Sequence, residues 1–184
     1  MTLPTLRTAG VGEYPRRVAI EHETRPTVRY VWAVTRIALG FVFLWAFLDK
    51  LFGLGFATPP ARAWLAGGSP TRGFLSGVAG PFAGAFNAIA GNAFVDWVFM
   101  IGLLGIGLAL VLGIGVRIAA VSGATMLLLM WLAVLPIVNN PFLDDHLVYA
   151  LVLVGLALER AGRTWGLGRW WGSLPPIARN PWLE

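Results

Sequence analysis

The chain has 184 residues, 57% of them hydrophobic and only 12% charged, with a mean hydropathy of +0.71. A soluble domain carries about a quarter charged residues, so a soluble domain is excluded, and repeated apolar runs of about 20 residues indicate a polytopic membrane protein. The net charge of +5 comes from arginines scattered over tails and loops, without the aromatic-interleaved basic stripe of a nucleic-acid binder, and the lack of cysteine removes disulfides, thiolate catalysis, iron–sulfur clusters and covalent haem.

Met1–Arg29 holds Arg7, Arg16, Arg17, Arg25 and Arg29, three prolines and no apolar run of the kind a signal peptide has. It is expected to be a largely disordered tail, 1–29. Four spans are expected in the following domain, 30–161: Tyr30–Phe52, Phe94–Gly115, Ile118–Val138 and Pro141–Leu158, giving an all-α, four-helix membrane bundle. The C-terminal tail, 162–184, is again basic. Arginine lies mostly in the two tails and at Arg117, while the opposite loops hold only Arg62 and Arg72. The positive-inside rule therefore expects both termini in the cytoplasm.

In the first span, Arg36 and Lys50 lie 14 residues apart, about 40° around a helix, so both look the same way while Asp49 points elsewhere. Arg36 is expected to snorkel to the inner headgroups. Lys50 sits at the outer end among apolar neighbours, and Trp45 falls in the outer half, either as a belt anchor or as a stacking surface for a ring ligand.

The long loop 53–93 has turn signals at Thr58-Pro59-Pro60 and Gly67-Gly68-Ser69-Pro70. Between them Ala61–Ala66 is expected to be a short interfacial helix, and Phe82–Gly91 an interfacial or re-entrant segment. A loop of that length and apolarity reads as a lid over the outer end of the bundle. Spans two and three carry Gly105, Ala109, Gly113, Ala119 and Gly123 at four-residue spacing, which lets helices approach closely in lipid and is compatible with a homo-oligomer. Their three-residue link, Gly115–Arg117, makes them an antiparallel hairpin.

Span four opens Asn139-Asn140-Pro141-Phe142-Leu143-Asp144-Asp145-His146. A helix beginning at Pro141 would place both aspartates near its positive dipole end. Asp145, His146 and Tyr149 would lie within reach of one another, a carboxylate, an imidazole and a phenol suited to a proton relay. Threaded in order, Asp49, Lys50, Asp96, Asp144, Asp145 and His146 fall near one face, and ionisable groups at membrane depth are functional candidates. No metal site is expected, because no helix shows Glu-x-x-His or His-x-x-x-His spacing. His22 and His146 are the only histidines and lie too far apart in the topology for a bis-His haem, so electrons would pass directly between bound substrates or through a partner.

Several blocks in order, Arg36–Gly53 (RIALGFVFLWAFLDKLFG), Gly67–Leu75 (GGSPTRGFL), the glycine-rich hairpin and His146–Gly168 (HLVYALVLVGLALERAGRTWGLG), resemble the DoxX/DoxD family over roughly residues 30–172. The resemblance implies a four-helix bundle in a bacterial or archaeal cell membrane. For the DoxD branch it implies the membrane subunit of a thiosulfate:quinone oxidoreductase, with a separate extracytoplasmic partner subunit. The expected activity is then quinone reduction by a small anionic reductant such as thiosulfate, with quinone as diffusible co-substrate. The resemblance carries over no residue-level motif; on the physical reading of the residues themselves, Asp145, His146 and Tyr149 would be the proton-handling residues, and Lys50, Asp49, Asp96, Arg62, Arg72 and Trp45 the substrate site. The alternative is a non-catalytic membrane scaffold that recruits a redox partner.

Overall fold

A computed structural model describes residues 26–138 and 140–183. The tail expected over 1–29 lies outside the described residues up to residue 25, as do Asn139 and Glu184. Pro26–Arg29 instead form the first turn of α1 (Pro26–Phe52), where proline is well placed because a first-turn N–H has no helical partner to lose. The order continues with α2 (Arg72–Leu75), α3 (Ala83–Ala88), α4 (Ala93–Leu112), α5 (Val116–Ala133), α6 (Asp145–Leu158), α7 (Gly168–Ser173) and α8 (Pro175–Ala178). No strand occurs among the described residues.

Three helices, α1 from Thr27, α4 and α5, are long and apolar enough to cross a membrane, on length and composition. Large apolar side chains on their outer faces, among them Val31, Phe41, Ile101 and Val121, are exposed. A soluble protein rarely leaves so much apolar surface open, whereas acyl chains would cover it. The inner faces bury Leu39 and Phe43 of α1, Met100, Leu103, Ile106 and Leu110 of α4, Leu127 of α5, and Leu153 and Leu156 of α6.

Helices pack α1 on α4, α4 on α5, α5 on α6, and α6 back on α1. Glycines set the closest approaches. A Cβ on Gly40 would lie 2.9 Å from Leu110 Cβ, one on Gly107 2.7 Å from Leu44 Cγ, and one on Gly123 2.7 Å from Leu153 Cδ1. The stripe expected from sequence is corrected at one place: Gly105 is exposed and faces open space, and the packing glycine of α4 is Gly107. At the tight link Gly113 and Gly115 both take positive φ, 73° and 56°, which only glycine adopts without strain. The antiparallel hairpin follows from them.

The loop departs from expectation in detail. Ala61–Ala66 is not one helix but two 3-10 turns, Pro60–Arg62 and Trp64–Ala66, broken at Ala63, whose extended ψ of 144° ends the first. The segment after Gly80 shortens to the six residues of α3. Helix α6 begins at Asp145, not Pro141. Asn140 Oδ1 accepts from the amides of Phe142 and Leu143 at 3.0 Å each, an Asx turn that diverts the chain from helix. Asp144 then caps α6 by accepting from Leu147 N at 3.2 Å.

At the end of the molecule where the hairpin turns, Arg36 is buried rather than snorkelling to headgroups. Its Nη1 donates to the carbonyls of Leu110 and Val111, and Nη2 to those of Thr164 and Trp165. The last carbonyls of a helix have no partner within it and carry its negative dipole end. A guanidinium with several N–H groups meets both needs for α4, and Leu167 N adds a bond to Leu112 O at 2.8 Å.

Candidate functional site

A cavity of about 590 Å³ opens between α4 and α5 at the end where α1 finishes and the long loop folds over. Its walls are Val98, Phe99 and Gly102 of α4 with Ser122, Met126 and Leu129 of α5. Pro70, Thr71, Phe74 and Leu75 close it from one side of the loop, and Phe86 and Ile89 from the other. Residues of the long loop thus form part of the cavity wall. Among the described residues, Lys50 is the lining's one ionisable side chain. Its ammonium lies 5.9 Å from the centre of the Phe99 ring, within the range of a cation–π contact.

The helical-wheel reading of α1 holds for both cations: Arg36 and Lys50 each meet α4. Asp49 points elsewhere, and it is 2% exposed. It accepts from Phe56 N at 3.3 Å and Ala57 N at 3.1 Å, which anchors the start of the loop. Asp96 is likewise structural. Its Oδ1 accepts from Ser69 Oγ at 2.9 Å, from Thr71 N at 3.2 Å and from the Thr71 hydroxyl. That one carboxylate oxygen fixes the lid segment that carries Pro70 and Thr71 into the cavity wall.

The other candidates sit apart from the cavity. Trp45 packs between the rings of Phe41 and Phe56, at 5.9 and 5.1 Å. Arg62 is exposed on the loop surface, and Arg72, also exposed, lays its guanidinium against Gly91. None of the three lines the cavity. Asp145, His146 and Tyr149 do not line it either, so the six polar residues that topology brings to one end form separate groups rather than one site.

His146 turns back to the cap rather than onward to Tyr149. Its Nδ1 lies 2.6 Å from Asp144 Oδ2 and 3.5 Å from Asp145 Oδ1. Tyr149 packs against the hydrophobic core, and none of the described hydrogen bonds joins it to Asp145 or His146, so the relay expected from spacing is not assembled. Asp144, Asp145 and His146 offer three donor atoms within 4.8 Å of one another. This grouping escaped the helix-spacing argument because it straddles a helix cap. Asp144 already serves Leu147 N and His146, which leaves a partly committed cluster with Asp144 and His146 half-buried and Asp145 exposed.

The chain matches no protein-family model, no curated protein and no solved structure. The cavity residues from α2, α3 and α5 carry no sequence signal of their own. Phe74, Phe86, Ser122 and Met126 look like ordinary loop and span residues until the fold sets them around one space. What the arrangement can do chemically is hold an apolar, ring-sized group against an aromatic wall, with the Lys50 ammonium as donor and the hydroxyl of Ser122 beside it; the Thr125 hydroxyl already donates to Val121 O at 2.8 Å.

Proposed function

We propose that the chain is a four-span membrane protein of the DoxX/DoxD kind that binds a quinone from the lipid phase in the α4–α5 cavity. It acts as the membrane subunit of a quinone-linked oxidoreductase fed by a small anionic reductant such as thiosulfate. The observation that carries this reading is the cavity itself: apolar, flanked by the exposed lipid-facing side chains Val98, Ile101 and Leu129, with Lys50 at one end. Binding pockets of this size, mostly apolar with few polar groups, suit a small ring ligand.

Helix α6 has 14 residues, about 21 Å, against a hydrocarbon core of about 30 Å. Exposed Phe142 and Leu143 before it and Leu158 at its end extend its apolar reach to a fourth crossing. Both termini then lie on the cytoplasmic side of a bacterial or archaeal cell membrane. Lys50 Nζ donates to one quinone carbonyl and passes on protons as the ring is reduced. Arg62 and Arg72 on the exposed loop supply positive charge for the anionic donor. Two thiosulfate ions joined through a new S–S bond release two electrons, and the quinone takes these with two protons to become quinol.

The test is quinone binding and reduction by the detergent-purified protein. Lys50→Met weakens binding about tenfold, the loss of roughly 1.4 kcal/mol expected for one charged donor. Gly102→Leu fills the cavity and blocks binding with the fold unharmed, since the nearest obstacle to a new Cβ is the flexible end of Met126 and glycine is the poorer helix former. Unchanged affinity in both variants would remove the cavity from the function. Binding without turnover on thiosulfate would keep the site and reject the donor.

A further inference from the structure

The end of the molecule opposite Lys50 holds a second feature that quinone chemistry does not use. Arg117 of α5 and Arg160 and Arg163 beyond α6 line one niche, with Trp171 on its wall. Its floor is the backbone of Gly113, Gly162 and Gly168. These chains approach too closely for side chains: a Cβ on Gly168 would fall 2.6 Å from Gly162 C and 2.9 Å from Gly113 O. Arg160 is held at φ 48°, a left-handed conformation that costs a non-glycine residue of order 1 kcal/mol. It fixes the direction in which the chain leaves α6 and hence where Arg163 stands.

Behind the floor lies the buried Arg36, whose Nη1 is 2.9 Å from where a Gly113 Cβ would be. Arg36 bonds only to carbonyls, and its Nε is buried with no hydrogen-bond partner. No carboxylate pairs with it among the described residues. A buried charge without a counter-charge is costly in a low dielectric, and an anion just outside the niche offsets it.

We propose that this niche binds the phosphate of an anionic phospholipid. The enclosed space is about 20 Å³, room for about one water-sized atom group. One phosphate oxygen therefore enters and the rest of the headgroup stays outside. Arg117 Nη1 already donates to Pro181 O at 2.8 Å, and Arg160 and Arg163 also make contacts of their own, yet each guanidinium has five N–H donors in a fork that matches phosphate. A lipid is favoured over a soluble phosphate by the surroundings. Trp165, Trp170, Trp182 and Leu167 are all exposed around the niche's segment of chain, as residues at headgroup depth are. Basic pockets at that depth bind anionic headgroups.

The experiment measures lipid retention by native mass spectrometry and melting temperature for the full chain in neutral detergent, with added phosphatidylglycerol, phosphatidylcholine or inorganic phosphate. Phosphatidylglycerol is expected to be retained and to raise the melting temperature, and the other two to do neither. Arg117→Gln with Arg163→Gln weakens that retention about tenfold, while Arg169→Gln with Arg179→Gln, outside the niche, leaves it intact. If the first pair does not fold by circular dichroism, Arg163→Gln alone, at an exposed position, gives the same sign. Equal retention of phosphatidylcholine, or equal losses in the niche and control variants, would overturn the proposal. Stabilisation by inorganic phosphate alone would overturn its assignment to a lipid.

Discussion

Arg36→Leu lowers the melting temperature by roughly 10 °C. Four carbonyls, those of Leu110, Val111, Thr164 and Trp165, lose their donors together, and each buried acceptor left unpaired costs about 1–3 kcal/mol. One effect opposes this: leucine removes a buried cation that lacks a counter-ion, and such replacements are sometimes stabilising. Here the loss wins, because four carbonyls at the end of α4 and in the returning segment 164–165 lose one shared donor at once; three of the bonds are only part-buried, so water recovers some of the cost. About 4 kcal/mol of net loss, at 2–4 °C per kcal/mol for a chain of this size, gives the stated shift. Arg36→Lys recovers only part of it, since a compact ammonium cannot span carbonyls on both sides. Hydrogen exchange should also rise from Gly162 to Ser173, because the guanidinium ties that segment to α4 beside the bond from Leu167 N to Leu112 O. A melting temperature equal to or above that of the wild type would mean that relief of the buried charge dominates.

Asp96→Ala costs about 3 kcal/mol and loosens the cavity lid. Three donors converge on one oxygen, Oδ1, from Ser69 and Thr71, and bonds to a charged acceptor contribute about 1.5–3 kcal/mol each before water replaces part of them. Ser69 is half-buried and can recover water, whereas Thr71 is 5% exposed and cannot. Because a single oxygen takes all three bonds, Asp96→Asn retains most of the stability: a carbonyl oxygen in that place accepts the same donors. Thermal melts of the two variants decide this. If Asn is as damaging as Ala, the negative charge matters and the bond geometry does not. Faster release of a bound quinone from the Ala variant than from the Asn variant would trace the effect to the lid.

What the sequence made legible was set by range. The three long apolar helices were readable because hydropathy over about 20 residues is a local property, and the hairpin followed from the shortness of the link at Gly115–Arg117. The common orientation of Arg36 and Lys50 was readable because a helix repeats regularly. The carbonyls waiting for Arg36 were not, since two of them arrive from residues 164–165, far along the chain. The start of α6 was missed for a local reason of another kind: Asn140 forms its own turn ahead of the cap, and Pro141 was equally suited to a helix start. Clustering of Asp49, Asp96 and Asp144–His146 at one end was correct as topology. It was misleading as a site, because Asp49, Asp96 and Asp144 are occupied with nearby amides or hydroxyls while Asp145 is exposed, and hydropathy cannot distinguish a capping aspartate from a catalytic one. The cavity was the least visible feature, assembled from side chains on five helices with unremarkable sequence surroundings.

The side chains framing that cavity between α4 and α5 also have a bearing on how affinity is measured. A molecule that arrives between Val98, Ile101 and Leu129 comes from among acyl chains, so the quantity that governs occupancy is its mole fraction in the bilayer, not its molarity in water. Lengthening a quinone's tail by one methylene drives it out of water by about 0.8 kcal/mol. Apparent dissociation constants in aqueous units should therefore fall about fourfold per carbon with no change at the protein, while constants in membrane units stay level. Two titrations at different lipid-to-protein ratios separate these cases: occupancy diluted by added lipid at constant total ligand is the mark of entry from the side.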